Sequence, residues 1–304
     1  FTSGPALAPL STEPAVCAQA TYWIASCRGL PQELPYTGVV PLDYFARLPD
    51  GRLQRTDAAS MLSQIVPGVP VCILVHGTFV DAAYHQREAA HTFDWIRRPA
   101  PHLPLHVIFF TWPSEADNVL TSPLLVNQRG RWAENDALYV SRLIAQLPPE
   151  SPVCLIGHSQ GARTVAATLQ LAGGGTIGSF LAVEDMGASR RYRAVLVAAA
   201  LDRHWFNPGQ RYDRALCRAE GLLNIYNPAD FALHVYPLRG LFSRQALGDT
   251  GFTLWDRIRL GANSCKAVDL NVAPIIGVSH TWPSFYSQPR IAEAMAPYIY
   301  FVDR

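Results

Sequence analysis

A single lysine, Lys266, stands among the 304 residues, so nearly all of the positive charge is arginine. Charge of either sign is sparse: 25 basic against 24 acidic residues give a formal net charge of +1, and only 16% of residues are charged. So small an imbalance concentrates no polyanion by its field, which argues against nucleic acid as a partner. Long hydrophobic runs are missing as well. The longest uncharged apolar run, Ala194 to Leu201, falls far short of the roughly 18 residues that a membrane-spanning helix needs, which excludes an integral membrane segment. Cysteine is scarce, six in all, far below the density of a disulfide scaffold. Cys72 and Cys154 lie inside apolar runs and read as reduced neighbours packed in the core, whereas Cys17, Cys27, Cys217 and Cys265 are freer to pair.

What the chain has in quantity is apolar residues, 49% of the total, enough to exclude disorder and to fill a globular core. The length suits one large α/β unit. Residues 1–19, with Pro5, Pro9, Ser11 and Pro14 and no initial methionine, read as an N-terminal arm and tilt the reading toward an exported protein. Residues 20–304 read as a single domain.

Short runs rich in valine, isoleucine and leucine alternate with longer amphipathic stretches, the pattern of a mostly parallel sheet with helices on both faces. Thr21–Cys27 is the first run, and the turn-rich segment that follows, with Pro35, Gly38, Pro49-Asp50-Gly51 and Pro67-Gly68, predicts antiparallel edge strands and loops. Buried strands are expected at Val71–Val75, Leu105–Thr111, Val153–Ile156, Arg193–Leu201 and Leu222–Tyr226, with a weaker one near Ala267–Val272. Asp81 is placed to cap a helix that runs to Arg98. Ala133, Ala137, Val140, Ile144 and Leu147 fall at helical spacing, and a further helix runs from Gln160 to about Ala172. A last helix is expected over Ser284 to about Tyr300, with Pro289 and Pro297 inside its limits.

The chemical centre is Gly157-His158-Ser159-Gln160-Gly161, between a predicted strand and a predicted helix. A serine on such a sharp turn stands clear of the sheet in strained backbone geometry, and the flanking glycines let neighbouring chains approach. The helix N-terminus beneath it can stabilise negative charge. A serine hydroxyl needs a histidine base and a carboxylate to orient that base. With Ser159 as nucleophile, His280 in Gly277-Val278-Ser279-His280-Thr281-Trp282 is the candidate base, ahead of His234. Asp230 follows the strand Leu222–Tyr226 through the turn Asn227-Pro228-Ala229 and is the candidate acid, with Asp202 as the alternative.

The oxyanion hole is expected to combine the backbone N–H of Gln160 with one from His76-Gly77-Thr78-Phe79, supplied by Thr78 or Phe79. His76 reads as a residue that ties this loop down. The tetrapeptide Thr-Trp-Pro-Ser occurs at 111–114 and again at 281–284. It makes Trp112 and Trp282 candidate walls of the substrate pocket, with aromatic loop packing as the alternative, and Phe79 of the 76–79 loop is a third candidate wall.

HGTF, FTWPS, GHSQG, NPAD and SHTW succeed one another here in the order and spacing of the α/β-hydrolase superfamily, which the chain resembles over roughly residues 20–304. More narrowly it resembles a bacterial branch of serine hydrolases with an HGF-type loop, an F-S-W-P strand end and a GHS-x-G elbow. It departs from that branch at Thr78, where an aromatic residue is usual, and at Gln160, where methionine is common. The resemblance implies the α/β-hydrolase fold. It also implies a cover over the site, which here falls on residues 231–265, with Phe231, Tyr236, Leu241, Phe242 and Trp255.

Signatures of other chemistries are missing: HExxH, paired CxxC, Walker A and a dinucleotide fingerprint do not occur, and the nine histidines show no ligand spacing. No metal or cofactor is implied. The reading is a serine esterase or lipase acting on a small-molecule ester of short or medium acyl chain. An acyltransferase or amidase on the same residues is the nearest rival, and a non-catalytic binding protein of the same fold is the rival from another class.

Overall fold

The computed structural model describes residues 20–32, 41–115, 123–178, 180–181, 185–239 and 243–302. The expected arm over 1–19, with Cys17, lies outside the described residues, as do Leu241 and Phe242. The apolar runs become strands: β1 (Tyr22–Ser26), β2 (Asp43–Arg47), β3 (Leu53–Thr56), β4 (Val71–Val75), β5 (His106–Thr111), β6 (Val153–His158), β7 (Tyr192–Val197), β8 (Gly221–Tyr226) and β9 (Ala267–Asn271). They form one sheet in the order β3-β2-β1-β5-β4-β6-β7-β8-β9. β1 pairs antiparallel with β2, and β2 with β3, at one edge, and the remaining pairings, from β1 through β5, β4, β6, β7 and β8 to β9, are parallel. The turn-rich segment after β1 does supply the antiparallel edge strands expected of it.

Side chains alternate across a strand, and the two faces of this sheet are covered by different helices. Val71, Ile73 and Val75 of β4, with Val153 and Leu155 of β6, face α2 (Pro123–Gln146) and α3 (Gly161–Ala172). Cys72, Leu74, Cys154 and Ile156 face the other way, onto α1 (Ala82–Arg97) and the C-terminal helix Pro289–Tyr300. Cys72 and Cys154 sit directly opposite each other in the β4–β6 register, buried and unbonded as free thiols. Cys27 is also a buried free thiol, with its Sγ 3.3 Å from Asp136 Oδ1, and Cys217 and Cys265 are free and exposed.

Several limits differ from the sequence reading for local reasons. β7 ends at Val197, not Leu201, because Ala198 turns into the left-handed region at φ 47°. The helix around Ala133 begins ten residues earlier, at Pro123. The expected last helix is two: α4 (Trp282–Tyr286), then a break at Gln288, then α5 (Pro289–Tyr300). Pro289 opens α5 at the position where proline costs no hydrogen bond, and Pro297 is carried inside it.

Candidate active site

β4, β6 and β8 all end at the same edge of the sheet, and their exit loops carry the candidate groups. At the end of β6 Ser159 takes φ 53°, a strained conformation for a residue with a side chain. Its neighbours leave no room for larger residues. A Cβ at Gly157 would lie 2.6 Å from Ala162 Cα, one at Gly161 2.3 Å from the Val75 carbonyl, and one at Gly77 2.9 Å from Ser159 Cβ. The glycines therefore let β4, the elbow and α3 close on one another. A sharp strand-to-helix elbow between β6 and α3, on a mostly parallel sheet covered on both faces, decides the architecture. The fold is that of the α/β hydrolases.

In this fold the exit of β8 runs through Asn227 and Asp230. Asp230 is fully buried, and its Oδ1 accepts from the Leu233 N–H, capping the turn Phe231–His234. Its Oδ2 lies 2.6 Å from Nδ1 of His280, whose Nε2 is 3.0 Å from Ser159 Oγ. A carboxylate only accepts, so Nδ1 carries the proton and Nε2 is left to accept from the serine hydroxyl. Asp202 lies on the exit of β7, bridged through its backbone to Ala246; the carboxylate beside His280 is that of Asp230. His234 turns to the Asp230 carbonyl at 3.0 Å and to Asp249 at 3.2 Å.

Among the described residues the backbone N–H groups of Thr78 and Gln160 donate no hydrogen bond. The Phe79 N–H, by contrast, is held by the Ser114 carbonyl at 2.8 Å, so of the two candidates on that loop the Thr78 N–H is the unengaged one. Phe79 itself has φ 64° and stands exposed, with Arg129 over its ring. His76 secures the loop. The Trp112 N–H donates to its Nε2 at 3.3 Å, so the ring proton is on Nδ1 and donates to the Gly77 carbonyl at 2.7 Å. Burial holds His76 well below the usual histidine range.

The two tryptophans of the repeated tetrapeptide part company. Trp112 is not a pocket wall: it is fully buried, stacked on His76 at 5.8 Å, with Nε1 donating to the His76 carbonyl. Trp282 lines a cavity of about 870 Å³ that contains Ser159 and His280, together with Phe79, Thr78 and Gln160. Phe231, Val235, Tyr236 and Leu238 line it too, while Trp255 is exposed elsewhere.

Two positioning contacts escape a reading of motifs. His158, the residue before the serine, donates from Nε2 to the His280 carbonyl at 2.9 Å, and its ring packs on Trp282 and Phe285. Burial first, and the nearby His280 second, push His158 down to about 3, so it stays neutral. Asn227 Nδ2 donates to the Gly277 and Ser279 carbonyls at 2.8 and 3.2 Å and joins the β8 exit to the His280 loop. The signals were a histidine inside the elbow motif and an asparagine opening the turn, but their partners lie 122 and 50 residues away.

No protein-family model matches the chain, and no curated protein matches it. Among solved structures it is similar to an α/β serine hydrolase without lid from Xanthomonas campestris, at 14% identity and a TM-score of 0.42, over 92% of this chain and 94% of that one. It is also similar to a Trichoderma reesei cutinase in complex with a phosphonate inhibitor, at 14% identity and 0.33, over 80% and 82%. A third is Zea mays acyl-protein thioesterase 2, at 13% identity and 0.36, over 68% and 85%.

Proposed function

We propose that the protein is a serine hydrolase that cleaves carboxylic esters through an acyl-enzyme. The observation that supports this most is the continuous pair of hydrogen bonds from Asp230 Oδ2 to His280 to Ser159 Oγ. Ser159 Oγ attacks the ester carbonyl as His280 Nε2 takes its proton, and the carbonyl oxygen becomes an anion facing the N–H groups of Gln160 and Thr78. Collapse expels the alcohol, which receives that proton from His280. Water, deprotonated by His280, then attacks the acyl carbon, and the proton returns to Ser159 as the acid leaves.

The cavity is within the range of small-ligand sites, about 300–1,000 Å³, and suits short to medium acyl chains. The cover is assigned to residues 231–265, of which Phe231, Val235, Tyr236 and Leu238 stand at the cavity. The narrower likeness, to bacterial serine hydrolases with a GHS-x-G elbow, rests on the motifs. An alkyl fluorophosphonate probe should label Ser159, and 4-nitrophenyl esters should be turned over fastest at short to medium length. Folded protein that the probe does not label would point to a binding module. A preference for chains beyond about twelve carbons, with activation at an oil interface, would overturn the chain-length part.

A further inference from the structure

Arg28 leaves the sheet just past the end of β1, where Ser26 lies opposite Thr111 at the end of β5. Only 15% of its side chain is exposed, and the guanidinium spends its donors on three partners. Nε donates to Thr111 Oγ1 at 2.8 Å, Nη2 donates to the Val80 carbonyl at 2.8 Å, and Nη1 pairs with Glu115. A threonine hydroxyl that accepts from a guanidinium still has its own proton to give. That proton goes to His76 Nε2, 2.9 Å away, which also takes the Trp112 N–H. The opposite ring nitrogen, Nδ1, faces the Gly77 carbonyl at 2.7 Å. A carbonyl only accepts, so the partners on both sides of the ring fix the same tautomer, with the proton on Nδ1.

The Gly77 carbonyl is one half of a peptide group whose other half is the Thr78 N–H. A trans peptide is planar, and its C=O and N–H point in opposite directions. Fixing the carbonyl against His76 therefore fixes the direction of the Thr78 N–H, the unengaged donor of a loop that lines the cavity with Ser159. We infer that Arg28 is a positioning residue for the oxyanion hole: through Thr111 and His76 it sets the angle of the Thr78 N–H, and through the Val80 carbonyl it pins the far end of the same loop. The inference rests on the ester-hydrolase reading and adds to it a residue outside the cavity lining. Ser114 shares the second task, since its carbonyl holds the Phe79 N–H at 2.8 Å and its hydroxyl donates to the Val80 carbonyl at 3.2 Å. A backbone donor has no side chain of its own to aim it, so its direction is set by whatever holds the peptide. The anion it serves exists only around the transition state, so a misdirected donor lowers kcat and leaves KM as it was.

The test uses the full chain and 4-nitrophenyl butyrate. Thr111→Val keeps the shape of the side chain and loses its hydroxyl, and should lower kcat by about tenfold or more with KM unchanged. Thr111→Ser keeps the hydroxyl and should retain most of the parent's kcat. Arg28→Met should lose at least as much as Thr111→Val, and if it does not fold the two Thr111 variants still decide. A trifluoromethyl ketone, whose adduct with Ser159 places an anion in the hole, should bind Thr111→Val more weakly by the same factor as kcat/KM falls. The pH at which kcat/KM reaches half its maximum should stay where it is, because Asp230 and His280 are untouched. Full kcat in Thr111→Val, a loss carried by KM alone, equal losses in the serine and valine variants, or unchanged ketone binding would overturn the role of Arg28. Fluorophosphonate labelling of the wild type separates the two failures. Labelled protein whose variants lose nothing removes the positioning role alone, and unlabelled folded protein removes the hydrolase reading with it.

Discussion

Asp230 and Asp202 are both buried, both follow a strand, and both lie in the sequence between the serine and the histidine, so residue type alone separates them poorly. Position in space separates them well: Asp230 Oδ2 is 2.6 Å from His280. Asp230→Asn should keep the fold and lower turnover by about four orders of magnitude, the scale of the equivalent change in a trypsin-like triad. Asp202→Asn should cost far less. Circular dichroism and kcat/KM on a 4-nitrophenyl ester check both, and the reverse order would move the acid to Asp202. Ser159, Asp230 and His280 were legible because each sits in a short motif with local turn chemistry. The contacts of His158 and Asn227 were not, because each depends on what folding sets beside it. Trp112 shows the opposite error, since its repeated tetrapeptide suggested a pocket wall where tertiary packing made a loop anchor.

The elements were read correctly where a single pattern governed them. β4, β5 and β6 are short continuous apolar runs, and α1 begins at the expected cap, with Asp81 accepting from the Tyr84 N–H. Backbone geometry overrules composition at Ala198, which ends β7 inside an apolar run, and at Pro289, which restarts a helix. The junction of β4 with α3 offers a test of how tightly elements are seated. A methyl group at position 161 would stand 2.3 Å from the Val75 carbonyl and 2.6 Å from that of His76, so β4 and α3 would have to separate. Gly161→Ala should destabilise by about 1–3 kcal/mol or more, as overpacking does. Gly29→Ala, where nothing lies within 4 Å, should stay within about 0.5 kcal/mol of the parent. Urea denaturation measures both, and equal midpoints would refute the close seating.

For the whole molecule, one buried carboxyl sets a slope of stability with pH. Asp136 is fully buried, its Oδ2 has no hydrogen-bond partner, and burial pushes its pKa up to about 8 against opposing hydrogen bonds from Cys27 and Gln32. Between about pH 4 and pH 8 the folded chain therefore keeps a proton that the unfolded chain has released. Stability from this group is complete below the unfolded value and declines as pH rises, by up to about 1.4 kcal/mol per pH unit. Asp136→Asn should flatten that decline and make the variant more stable than the parent at pH 8, with little difference at pH 4. Denaturation midpoints across that range test it, and parallel curves would contradict it. The bond from His158 to the His280 carbonyl carries a different consequence for the molecule in motion. Ser159 and His280 hang from a common anchor, because His158, the residue beside the serine, grips the backbone of His280 itself. Loops commonly wander on the nanosecond to microsecond scale, but here a swing of the 277–281 loop pulls on the elbow too. The spacing of Ser159 and His280 is thereby tied to the β6 elbow as well as to the 277–281 loop.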